Sequence, residues 1–142
     1  MKKIIFFFQY IILSVFFFFF KLIPINHVSL LGGKLFQILG PFTKSHKIAV
    51  SNYKKVYPHL KEEEIKKQIL KSWNNLGKTF IELSILDKIL NEKNKKIQIY
   101  GTNYLNNVIN KKERVIFFGI HQANWELIVP IINKLGINVG AI

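Results

Sequence analysis

Cysteine is absent from the 142 residues, which excludes disulfides, thiolate nucleophiles and zinc-thiolate centres. Arginine is nearly absent as well: of 21 basic side chains only Arg114 is not a lysine. Planar forks that grip phosphate favour arginine, so the formal net charge of +13 is not read as a nucleic-acid surface. The lysines between Lys44 and Lys112 are interleaved with apolar residues instead of forming one block. That spread fits a face toward anionic lipid or an acidic carrier protein. The abundance of Asn, Ile, Phe and Tyr beside lysine is the bias of an A/T-rich coding sequence, which accounts for part of the lysine content.

Long apolar runs are lacking everywhere except at the start. Lys2 and Lys3 lead into residues 4–20, broken only by Gln9, Tyr10 and Ser14. As a helix this run is roughly 25 Å long, short against a hydrocarbon core of about 30 Å. Leu22 and Ile23 extend it when Lys21 snorkels. A signal peptide begins in the same way, but no small-residue cleavage pair follows; the chain continues Lys21-Leu22-Ile23-Pro24-Ile25. Residues 1–23 are therefore expected to form an uncleaved transmembrane or anchor helix. Lysines are more numerous after this segment than before it, which places the remainder on the cytoplasmic side, with Lys2 and Lys3 arguing the other way.

The remainder, residues 24–142, alternates in type. Leu30, Leu31, Leu35, Ile38 and Leu39 recur at helical spacing within 24–42, as a core helix or as one lying in the membrane interface; the sequence leaves both open. Residues 45–56 read as a short helix ended before Pro58. The longest helical signal runs from 60 to 90, carried by Ile65, Ile69, Trp73, Leu76, Phe80, Leu83 and Leu90, with Glu62, Glu63 and Glu64 in its first turn. Gly77 in its interior costs about 1 kcal/mol relative to alanine, a cost that close approach of another helix would offset. After a polar loop over 91–96, residues 96–100 alternate as a strand, Gly101 turns the chain, and Thr102 caps a helix to about 110. Residues 115–118 form a second expected strand, 125–135 a helix kinked at Pro130, and a third strand begins at Ile137. The fold expected is α/β: a membrane helix, further helices, and the first strands of a parallel or mixed sheet with right-handed crossovers.

The chemistry concentrates at the end of the second expected strand. Residues 115–118 are continuous β-branched and aromatic residues, as in a strand buried on both faces. His121, Gln122, Asn124, Trp125 and Glu126 follow Gly119 directly, at a strand-to-helix switch where open α/β sheets hold their ligands. On one continuous helix His121 and Glu126 would stand roughly 140° apart. They can meet only when His121 lies in the turn, with Asn124 as N-cap and Glu126 in the first helical turn. Each residue has a plain default: a turn histidine, a capping asparagine, a packing tryptophan. Their combination at one switch favours a base whose second ring nitrogen is held by an acid, with a substrate hydroxyl as nucleophile.

His121-Gln122-Ala123-Asn124-Trp125-Glu126 resembles the His-x-x-Asn-Trp-Glu signature of the late, lauroyl/myristoyl-type lipid A biosynthesis acyltransferases, part of the glycerolipid acyltransferase superfamily with its shared His-x-x-x-x-Asp/Glu. Residues 49–58, with Asn52, Tyr57 and Pro58, are similar to that family's Ala-x-x-Asn-Leu-x-x-x-Phe-Pro segment. Residues 75–82, with Asn75, Gly77 and Glu82, are similar to its Asn-x-Gly-Arg-x-x-x-Glu segment. The resemblance implies a glycerolipid-acyltransferase-like sheet and a family domain that continues beyond Ile142, so 24–142 is expected to be an incomplete N-terminal portion of it. It further implies acyl transfer from an acyl carrier protein thioester, or acyl-CoA, to a hydroxyl of a lipid A precursor at the bacterial inner membrane. His121 and Glu126 would be catalytic, Asn124 and Trp125 would contact substrate, Glu82 would be a functional position, and neither a metal nor a bound cofactor is called for. A lysophospholipid or other glycolipid acceptor, or a non-catalytic membrane protein, are the competing readings.

Of the other histidines, His27 and His46 lack the required acid. Asn26-His27-Val28-Ser29 imitates the Asn-His-x-Ser opening of phospholipid acyltransferases, but the fifth residue after His27 is Gly32. His46 is followed at that spacing by Ser51; His59 does have Glu64 five positions on, but without the Asn-Trp of the signature, and both histidines are expected to be exposed.

Overall fold

A computed structural model of the chain describes residues 2–91, 96–111, 113–120 and 122–140. Seven α-helices are found among them: α1 (Lys2–Leu22), α2 (Ile25–Leu39), α3 (Lys44–Val56), α4 (Glu62–Glu82), α5 (Leu86–Leu90), α6 (Thr102–Lys111) and α7 (Ile128–Lys134). Short 3-10 turns at Gly40–Phe42, Leu83–Ile85 and Trp125–Leu127 join or begin them. The backbone divides into two compact units, Met1–Leu86 and Asp87–Ile142.

The first unit is built on α2 and α4. Gly32 and Gly77 meet backbone to backbone: a Cβ on Gly32 would stand 2.7 Å from the Gly77 carbonyl oxygen and 2.7 Å from Ile81 Cγ1. Only hydrogen fits there, and this is the return for a glycine in mid-helix. Around the contact, Val28, Ile69 and Ile81 are fully buried and the Phe36 and Phe80 rings lie 5.5 Å apart, tilted by 42°. Polar side chains tie the same two helices. Ser29 Oγ donates to Glu82 Oε1 (2.5 Å), and Asn74 Nδ2 donates to Gln37 Oε1 (3.1 Å).

α4 opens with three acids, Glu62, Glu63 and Glu64, against the positive end of its dipole. Glu64 Oε2 accepts from the Lys61 backbone N–H at 3.0 Å, satisfying one donor at the helix start. The helix expected over 60–90 is continuous only to Glu82, then tightens into the 3-10 turn and resumes as α5. Ser84 lies buried at that point and its Oγ donates to the Ile81 carbonyl (2.7 Å), diverting an acceptor of the regular ladder.

α3 begins after Thr43, whose Oγ1 donates to the Gly40 carbonyl (2.7 Å). Trp73 of α4 lies over Gly40 in the preceding turn, and its indole N–H donates to His46 Nδ1 (3.2 Å). His46 is thus half-buried and held, not exposed as expected, whereas His59 is exposed.

α1 is 21 residues long and apolar enough to cross a membrane, and none of its residues is buried. Contact with the rest of the unit comes from its C-terminal part: Phe16, Phe17 and Phe20 are half-buried, and Phe17 meets Phe80 edge-on at 5.5 Å.

The expected sheet is not present: no described residue belongs to a strand. The described positions of the three strand candidates, 96–100, 115–118 and 137–140, are without regular structure. Residues 115–118, expected to be buried on both faces, include Ile116 at 79 % and Phe118 at 94 % exposure. A strand, unlike a helix, satisfies its amides only through a neighbour, and a central parallel strand needs cover on both faces. β-branched and aromatic residues report the surroundings such a strand favours; they do not supply its partners.

The helical expectations for the second unit fare better. Gly101 turns at φ +77° into α6, which begins at Thr102. Pro130 does not lie deep in its helix, where it was expected to kink it. The first turn after Asn124 is 3-10 and α7 starts at Ile128, so Pro130 falls in the first α-turn, where a missing N–H breaks no intrahelical bond.

Candidate functional site

Asn124, Trp125 and Glu126 lie where the irregular segment 113–120 turns into α7, and the local geometry follows from a few backbone contacts. The Gln122 N–H donates to the Ile120 carbonyl (2.8 Å), and the Leu127 N–H donates to the Asn124 carbonyl (3.3 Å), opening the 3-10 turn. Between them Ala123 is held at φ +51°. A Cβ-bearing residue pays about 1–2 kcal/mol for the left-handed region, so its neighbours must impose that conformation.

Gly119 is the other fixed point. A Cβ there would stand 2.7 Å from Ile128 Cδ1, so the start of α7 folds over the glycine that ends the apolar run. At its far end α7 stops in a Schellman arrangement: Gly136 takes φ +86°, its N–H donates to the Asn133 carbonyl (3.0 Å), and the Ile137 N–H donates to the Ile132 carbonyl (3.3 Å). Lys134 Nζ donates to the Leu90 carbonyl (2.6 Å), tying α7 to the end of α5. Ile89 and Ile132 are the buried apolar residues described in this unit.

Of the expected site residues, His121 lies outside the described residues. Glu126 is exposed, in the 3-10 turn that precedes α7. Asn124 stands at the N-cap position as expected, yet makes no side-chain capping hydrogen bond; it is half-buried, with its amide oxygen turned inward. Trp125 is 38 % exposed, so its indole is not simply core packing. Among the described residues no group of three His, Asp or Glu side chains could hold a metal ion.

The upstream motif residues fall in the first unit. Gly77 is buried at the helix contact, Asn75 is exposed, and Glu82 is half-buried with Ser29 donating to it. Asn52, Tyr57 and Pro58 are exposed at the end of α3 and just beyond it. His27 is exposed and its neighbour Ser29 is engaged by Glu82, so the Asn-His-x-Ser imitation is broken in space as well as in spacing. Sequence reasoning missed Ser29 as a partner of Glu82. No local pattern could have found a bond that spans 53 positions.

A family model for the bacterial lipid A biosynthesis acyltransferases matches residues 2–142. No curated protein and no solved structure matches the chain.

Proposed function

Because the chain belongs to the bacterial lipid A biosynthesis acyltransferase family, we propose that it moves a fatty acyl chain from an acyl carrier protein thioester to a hydroxyl of a lipid A precursor, with His121 as base and Glu126 as its orienting acid. Family membership implies an acyl donor and a lipid acceptor in general terms. The observation that carries the finer reading is the His-x-x-x-x-Glu spacing at a turn whose described part leaves Glu126 open to solvent five positions after His121. The left-handed Ala123 adds support, since imposed strain gathers at functional turns.

In this mechanism the His121 imidazole takes the proton of the acceptor hydroxyl while its oxygen attacks the thioester carbonyl. The tetrahedral intermediate collapses with rupture of the C–S bond, and the departing thiolate recovers the proton from the imidazolium. Glu126 selects the tautomer and stabilises the imidazolium. Backbone amides near Gly119 or at the start of α7 are the candidates, by position alone, to receive the oxyanion. α1 serves as the anchor in the inner membrane and the remainder faces the cytoplasm, where the amphiphilic acceptor is within reach.

The test is transfer of a labelled acyl chain to a lipid A precursor in mixed micelles, with a lysophospholipid as competing acceptor. His121→Ala is expected to lower transfer about 100-fold to 10,000-fold with the circular dichroism spectrum unchanged. Glu126→Ala is expected to be similarly severe, Glu126→Asp milder and His27→Ala without effect. Undiminished transfer by His121→Ala would remove the assigned role, and preference for the lysophospholipid would reassign the acceptor.

A further inference from the structure

We propose that α2 is a second lipid-contacting element: the face it turns away from α4 lies among the headgroups of an anionic bilayer, beside the end of α1. The proposal rests on the reading of α1 as a membrane anchor, and three observations carry it.

The first is the division of α2 into two apolar faces. Val28, Gly32 and Gly33 are buried, the glycines against α4. On the opposite side, within about 100° of arc by helical spacing, Leu30, Leu31, Lys34 and Ile38 are all exposed, together with His27. Phe42, in the turn that follows, is 86 % exposed and continues this surface. A helix facing only water would carry polar side chains there. Three large aliphatic residues around one lysine suit the interfacial plane, where the lysine stem follows the acyl boundary and its ammonium reaches the phosphates.

The second is charge. Every Asp, Glu, Lys or Arg position from Lys2 to Lys61 is a lysine, and the first acid of the chain is Glu62 on α4. Anionic headgroups complement such a surface. A second copy of the chain does not, because a two-fold contact on this face would bring Lys34 toward its own counterpart.

The third is continuity. α1 ends at Leu22 and α2 begins at Ile25. The three Cα–Cα steps from Leu22 to Ile25 reach about 11 Å at most, so α2 must start close to the depth where α1 leaves the membrane.

The absence of cysteine makes the experiment clean. Ile38→Cys, Phe8→Cys on α1 and Lys71→Cys, an exposed position on α4, are each labelled with an environment-sensitive fluorophore. The full chain is reconstituted into vesicles of phosphatidylcholine and phosphatidylglycerol. Quenching is read with shallow and deep nitroxide lipids and with aqueous iodide. The expected result is shallow-lipid quenching at Ile38, deep-lipid quenching at Phe8 and iodide quenching alone at Lys71. The Leu30→Ser/Leu31→Ser double variant is expected to shift the Ile38 probe several-fold toward iodide with helicity retained. An Ile38 probe that behaves like Lys71 while Phe8 remains deep overturns the role of α2 and leaves the anchor standing. A Phe8 probe open to iodide removes the anchor and this proposal together. Protection of the Ile38 probe without lipid quenching, accompanied by disulfide cross-linking between copies of the unlabelled Ile38→Cys variant, assigns the face to self-association and overturns the proposal. Equal lipid quenching at Ile38 in purely phosphatidylcholine vesicles overturns the claim for anionic lipid.

Discussion

In Met1–Leu86 the large aliphatic side chains Val28, Ile69 and Ile81 are fully buried and a pair of glycines lets two backbones touch. In Asp87–Ile142 the apolar run that leads to the family signature stands open, with Ile116, Phe118 and Ile120 all exposed. The exposed run is itself wholly apolar, so hydrophobicity alone does not decide which residues are buried. What differs is how each satisfies its backbone. α2 and α4 close their hydrogen bonds internally, and each needs from the other only a matching surface. Residues 115–118 have strand composition, and strand amides are satisfied only by another strand.

The sharpest way to break this comparison is to damage the glycine contact. A Cβ on Gly32 meets the backbone of Gly77 at 2.7 Å, which cannot swing aside, whereas one on Gly33 meets chiefly the Asn74 side-chain amide at 2.5 Å, which can, and the Asn74 backbone oxygen less closely at 3.1 Å. Gly32→Ala is therefore expected to destabilise the first unit by about 1–3 kcal/mol through overpacking, less the roughly 1 kcal/mol that alanine gains in helix propensity. Gly33→Ala should cost less, since it displaces the Asn74 amide and its hydrogen bond to Gln37 but not a backbone. Urea midpoints followed by circular dichroism distinguish the two; equal midpoints would show that the helices do not depend on backbone contact.

That contact was half legible in advance. Gly77 within a helical pattern announces a close neighbour, because nothing else offsets its cost, but it does not say that the neighbour is Gly32. The helices over 24–42, 45–56 and the first part of 60–90 follow from a 3.6-residue period that is wholly local. The end at Glu82 was not visible, because Ser84 acts through a bond to Ile81 that competes with the helix only once the residue is buried. The strands failed for the opposite reason: composition was read as pairing. At the site, the residue types and the N-cap position of Asn124 were legible from spacing, and the left-handed Ala123 and the packing of Ile128 over Gly119 were not, since both are imposed by chain reversal.

A smaller effect is expected where a polar bond reinforces packing. Trp73→Phe keeps an aromatic ring near Gly40 and removes the N–H that His46 Nδ1 accepts, at a cost of about 1 kcal/mol. The His46→Ala/Trp73→Phe cycle checks it: a coupling energy near zero would mean that the ring alone holds α3 to α4. Smaller still is Phe118→Ala in the second unit. With the side chain 94 % exposed, the change should stay within about 0.5 kcal/mol. A loss of about 3–5 kcal/mol, the usual result for a buried phenylalanine, would erase the contrast between the two units.

The smallest effect separates surface electrostatics from packing inside the first unit. Lys54 Nζ lies 2.6 Å from Glu62 Oε1, and both side chains are well exposed. The hydrogen bond from Lys54, and then its charge, hold the Glu62 carboxyl below its ordinary value of 4.5, with burial opposing slightly. A carboxylate whose pKa is depressed in the folded state contributes stability that is fully present above 4.5 and fades as pH falls through the lower folded value. Lys54→Met should therefore lower the midpoint slightly at neutral pH and low salt, and the gap from the parent should close on acidification. Added salt should close it too, because a pair in water is screened. A gap that survives both acid and salt would mean that the lysine stem packs against α4, placing this edge of the bundle with the glycine contact as part of the core.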